Sequence, residues 1–251
     1  MALRTSPLPP PLGGRRCLFE WSIDELAHFF FEIPTAMVMP LLPRGIYPVE
    51  PRPGIALLDV GFVAWGAGNW EAHWPAFTEV CVLLVVQPDL ACPMPLPKFA
   101  FFALNICADY QEFLDTEPVR LHLPTFHSPL ESVFDRERYA VRVSSPSGPL
   151  IELTNTQHPI HYEPVDWVGQ FYTVDDGILY MGVWQWIALA AEHQAPGHAG
   201  RVFKHPVFRG MDLEPYHDTY LQAFSKPGTG SFQRFYETSS LGRAVYDRRG
   251  S

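Results

Sequence analysis

The chain has 251 residues, 47% hydrophobic and 18% charged, with a formal net charge of −9 at pH 7. This composition excludes a disordered chain and leaves room for a sizeable core. The 26 prolines and 18 glycines argue against a helix bundle, and the acidic balance argues against nucleic acid as the main partner.

Residues 1–16 are proline-rich and read as a flexible arm without an apolar leader segment. Ser22 to Glu25 reads either as a capping box opening a short helix or as a surface turn. The apolar run Leu26–Ile33 stops at Pro34, and Met37–Leu42 stops at Pro43. Ile55–Ala64 predicts a strand, followed by a loop over residues 65–76 that carries Trp65, Trp70 and Trp74. Thr78–Val86 is the clearest strand, closed by Pro88, and Phe99–Ile106 is another. Tyr139–Ser144 and Leu150–Thr154 predict one hairpin. Phe171–Val174 and Ile178–Trp186, around Asp175-Asp-Gly177, predict a second. The alanine-rich stretch 187–193 suggests a helical segment, and Met211–Phe224 a helix or a bent strand. From Ser225 onward the composition predicts a loosely held tail, leaving residues 17–224 as a single domain.

Many short strands without βαβ alternation predict a mainly β (α+β) fold, an antiparallel sheet closed into a barrel or cone around an apolar cavity. No run of about 18 apolar residues predicts a membrane span. None of Cys17, Cys81, Cys92 and Cys107 forms a C-x-x-C pair. The expected setting is soluble, reducing and cytoplasmic. No cofactor fingerprint, nucleophile elbow or phosphate loop is present, and no cofactor or metal is expected. His158-x-x-His161 superficially resembles a metal pair, but Pro159 argues against a helix and an extended chain would point the two apart.

Strand alternation puts Glu79, Cys81, Leu83 and Val85 on one face. A glutamate on an apolar interior face has its pKa raised by desolvation and becomes a usable general acid or base. The other reading of Glu79 is a strand-end residue in solvent or in a structural salt bridge. Trp184 and Trp186 share a face of their strand, and with Trp65 and Trp70 they suit either a cavity for a large apolar ligand or simple barrel core.

Several segments together resemble the acetoacetate decarboxylase family. They are Leu41-Leu-Pro43 with the proline-rich loop after it, Phe77-Thr-Glu79-Val80, Glu117-Pro118-Val119-Arg120-Leu121, Asp176-Gly177, and Gly200 to His205. The likeness covers roughly residues 26–222 and implies that family's barrel or cone. The family carries two lysines after the proline, the first forming a Schiff base with a β-keto acid. Here those positions read Val119 and Arg120, and only three lysines exist, Lys98, Lys204 and Lys226. Valine cannot form an imine, and arginine stays protonated. The resemblance therefore implies a cavity that has lost Schiff-base chemistry. Its expected acid–base groups are Glu79, Glu117 and Arg120, and its expected walls are Trp65, Trp70, Cys81, Leu83, Val119, Trp184 and Trp186. The expected function is a tailoring enzyme, a lyase or cyclase acting without an imine on a hydrophobic, polyketide-like carbonyl compound. A ligand-binding barrel without catalysis, or a decarboxylase with a relocated lysine, are the alternatives. A hydrophobic small molecule is the expected partner, and the resemblance also suggests a homo-oligomer.

Overall fold

Runs rich in Phe, Val, Ile and Leu become long strands, and the proline and glycine clusters become their connections. The computed structural model describes residues 9–69, 74–89, 99–157 and 160–246. In chain order the strands are β1 (Cys17–Pro34), β2 (Ile46–Pro48), β3 (Ile55–Asn69), β4 (Phe77–Pro88), β5 (Phe99–Ala108), β6 (Thr125–His127) and β7 (Glu131–Asp135). They continue with β8 (Ala140–Ser145), β9 (Gly148–Thr154), β10 (Glu163–Asp175), β11 (Ile178–His198), β12 (Gly200–Val202), β13 (Asp218–Ser225) and β14 (Ser231–Arg243). One helix of three turns, Gln111–Leu121, follows β5.

The strands β4, β3, β1, β13, β11, β10 and β5 lie side by side in that order, and β5 pairs back onto β4, which closes a seven-stranded barrel. Within the barrel only β5 and β10 run parallel. The stave between β1 and β11 is unusual. Its first part is β13, paired with β1 from Ala27 to Phe31, and its second part is β14, paired with β1 from Cys17 to Ile23. β11 pairs with both in the same way. The two segments act as one stave interrupted at residues 226–230, where Gly228 and Gly230 take positive φ.

Long-range pairing overrides several local expectations. Ser22 to Glu25 is neither helix nor turn but part of β1, with Ser22 opposite Phe232 and Glu25 opposite Ala64. A cap contributes about 1 kcal/mol, less than two ladders and a buried face. The alanine-rich stretch 187–193 continues β11, because it lies between β10 and β13. The supposed tail supplies β14. Trp65, expected in a loop, lies in β3 opposite Phe77. Of the two readings for Met211–Phe224, strand is realised from Asp218 on.

The second sheet, in the order β12-β9-β8-β7, covers part of the barrel's outside. Phe29, Phe31, Val60, Phe62, Val80 and Val82 on the barrel exterior share one core with Val141, Val143, Ile151 and Leu153 of that sheet. Barrel strands such as β4 are therefore apolar on both faces, one toward this layer and one toward the interior. Each fully buried Phe, Val or Leu contributes about 1.5–3 kcal/mol. Among the described residues no helix is long and apolar enough to cross a membrane.

Candidate active site

The interior face of β1, β3 and β4 is laid out in rows. Leu26, Val63 and Glu79 stand abreast, then His28, Gly61 and Cys81, then Phe30, Asp59 and Leu83. These rows form one wall of a cavity of about 90 Å³. The facing wall is largely aromatic, with Phe171 and Trp167 from β10 and Trp184 and Trp186 from β11. Packed rings close one end: Trp21 stacks on Trp74 at 4.8 Å, and Phe77 meets Phe113 of the helix at 4.6 Å.

Gly61 allows the middle row to form. A Cβ at that position would lie 2.4 Å from Cys81 Sγ and 2.7 Å from the His28 ring, so only glycine admits both side chains. The other wall has an equivalent in Gly169, where a Cβ would lie 2.2 Å from the Trp184 indole.

Three ionisable groups meet here. Glu79 is 6% exposed, and its Oε2 accepts a hydrogen bond of 2.9 Å from Trp65 Nε1. Burial pushes the Glu79 carboxyl up to about 7, against the smaller opposing effects of the Trp65 bond and the nearby His28. Asp59 is fully buried and holds His28 Nδ1 with both carboxylate oxygens, at 2.8 and 3.0 Å. Burial alone would pull the His28 pKa down. The charge and hydrogen bond of Asp59, with the charge of Glu79, outweigh that and raise it. The pair is a coupled unit. Because Asp59 takes Nδ1, Nε2 is the ring nitrogen left for a ligand. Cys81 remains a thiol, since burial and the neighbouring Asp59 and Glu79 carboxylates hold its pKa far up. It is not an activated nucleophile. Among the described residues no group of three His, Cys, Asp or Glu side chains is placed to hold a metal ion.

Of the residues singled out in the sequence, Glu79, Cys81, Leu83, Trp184 and Trp186 line the cavity together. Trp65 stands behind Glu79 as its hydrogen-bond donor. Val119 and Arg120 do not line it. Val119 is 66% exposed on the helix, and the exposed Arg120 places its guanidinium over the Phe19 ring at 5.5 Å. The helix turns Phe113, Leu114 and Leu121 inward and carries positions 119 and 120 to the outside, so Arg120 does not reach a ligand shared with Glu79. Trp70, His158, Cys92, Lys98 and the Glu117 side chain lie outside the described residues. Lys204 and Lys226 are exposed and away from the cavity. His28 and Asp59 were missed. Their signal was an ionisable residue inside each of two apolar runs, His28 along with Glu32 in Leu26–Ile33 and Asp59 alone in Ile55–Ala64.

The closed seven-stranded barrel matches the acetoacetate decarboxylase-like fold, as comparison with known proteins shows. No family model matches the chain, and no curated protein matches it. Solved structures do. An acetoacetate decarboxylase is similar at a TM-score of 0.61 and 8% identity, covering 95% of this chain and 93% of its own. The acetoacetate decarboxylase of Legionella pneumophila is similar at 0.59 and 10% identity, covering 99% and 95%. An enduracididine biosynthesis enzyme, MppR, complexed with the condensation product of pyruvate and imidazole 4-carboxaldehyde, is similar at 0.56 and 12% identity, covering 95% and 92%. At such identities the likeness concerns the fold.

Proposed function

We propose that the barrel is the active site of an enzyme that enolises a compact, apolar carbonyl compound by acid–base chemistry, without a lysine imine. The observation that carries this is Glu79, a carboxyl inside an apolar cavity whose pKa is pushed to about 7 by burial. At neutral pH such a group is divided between base and acid, the optimum for moving a proton in both directions. In the base form Glu79 takes the proton from the carbon beside the carbonyl. The C–H electron pair becomes the enolate double bond, and the carbonyl oxygen gains the negative charge. His28, held in place by Asp59, stands on the same wall as Glu79 as a second polar group. Return of the proton from Glu79 to the enolate, or bond formation from it, gives isomerisation, dehydration, aldol-type or cyclisation products. One structural neighbour, complexed with a condensation product of pyruvate and an aldehyde, supports carbonyl chemistry on this scaffold. A relocated imine has no support among the described residues, since none of the lining side chains is a lysine.

The test is exchange of the α-hydrogens of cyclohexanone in D2O, followed by proton NMR. The protein should accelerate exchange above the buffer rate, with a rise as pH passes about 7. Glu79→Gln should lower the acceleration by about 10²-fold or more. A wild-type rate equal to buffer, or an unchanged rate in Glu79→Gln, overturns the reading.

A further inference from the structure

Trp186 and Gln233 stand directly opposite each other across the β11–β14 ladder, and both line the cavity. Directly opposed residues on one face hold their Cβ atoms about 4.5–5.5 Å apart. Trp186 is 3% exposed, yet its Nε1–H has no hydrogen-bond partner among the described residues. The contrast with Trp65, whose indole N–H is satisfied by Glu79, is direct. Gln233 is 9% exposed, and it lines the cavity beside the indole. Buried donors are nearly always satisfied, and each one left unmade costs about 1–3 kcal/mol. An unmet indole donor beside a cavity-lining amide, on a wall that is otherwise hydrocarbon and aromatic, calls for an acceptor supplied from the cavity. They also lie on the strand face across the barrel from Glu79.

We propose that Trp186 Nε1–H and the Gln233 amide together form a two-donor cradle for the substrate's carbonyl oxygen. The ligand class is then a ketone or aldehyde with an apolar body, its oxygen toward β11 and β14 and its α-carbon toward Glu79. As the ring stands its Nε1–H is closed off, so the indole turns to present it to the oxygen. Neutral donors suit an oxygen that is neutral in the bound ketone and gains charge only as the enolate forms. The inference rests on the reading that the cavity takes a carbonyl compound, and it adds which residues select the oxygen.

The experiment is an indole ¹H–¹⁵N correlation spectrum, with the Trp186 Nε1–H peak assigned by Trp186→Phe. The protein is titrated with cyclohexanone and with methylenecyclohexane, which has the same shape but no acceptor. The ketone should move the Trp186 proton downfield, and the hydrocarbon should not. Trp186→Phe and Gln233→Leu should each reduce the preference for ketone over hydrocarbon by about 3- to 10-fold, the scale of one net hydrogen bond. An equal response to both probes, a ketone that binds without moving the peak, an unchanged preference in both variants, or no ketone binding overturns the proposal. Failure with the ketone still bound leaves Glu79-dependent exchange untouched. Conversely, a moved indole proton without exchange overturns the catalytic reading and keeps the cradle.

Discussion

Replacing Glu79 by Gln should stabilise the protein at alkaline pH while removing its exchange activity, and the size of the gain follows from the site. Gln preserves the shape of the neutral acid and can still accept the Trp65 indole N–H. Below pH 4.5 the glutamate is protonated in the folded and unfolded chains alike, so the variant and wild type should have nearly equal stability. The folded group titrates at about 7 and an ordinary glutamate at 4.5. Between these values the native protein holds the proton that the unfolded chain has released, so wild-type stability falls as pH rises through that window. At 1.36 kcal/mol for each tenfold difference in proton affinity, the full loss above pH 7 is about 3 kcal/mol. That is a large fraction of the 5–15 kcal/mol typical of a folded domain. The assay is urea unfolding of both proteins, followed by circular dichroism, at pH 4.5 and pH 8.5. The stability of Glu79→Gln relative to wild type should rise by about 3 kcal/mol between the two. A difference that stays within about 1 kcal/mol across this range would refute the argument that burial in the cavity sets the Glu79 pKa.

Two further outcomes follow from the same wall. His28→Ala should cost about 3–5 kcal/mol at neutral pH, because it leaves the fully buried Asp59 carboxylate without its partner. Adding Asp59→Asn should recover part of that loss, and thermal unfolding of the single and double variants decides it. Borohydride reduction in the presence of acetoacetate should leave the protein's mass unchanged, and a stable adduct on any lysine would reinstate the imine.

Much of the barrel was legible because its strands are long apolar runs bounded by proline and glycine. Such runs demand burial whatever their partners. The Glu79, Cys81 and Leu83 face and the shared face of Trp184 and Trp186 were legible for the same reason, since a period of two is a property of the strand itself. Where local preference and pairing conflict, only the tertiary structure decides. Residues 187–193 carry the composition of a helix but lie between two strands that need their backbone groups. The segment after Ser225 looks like a tail and instead completes the stave that β13 leaves short. The position of Arg120 depends on how the helix is rotated against the barrel, which its neighbours in sequence do not specify. The His28–Asp59 pair shows the division most clearly. An ionisable residue stands inside each of two apolar runs, and a buried charge needs a partner. Which partner it finds depends on strand register across 31 residues of chain and on the missing side chain of Gly61, which lets histidine and cysteine share one place in the wall.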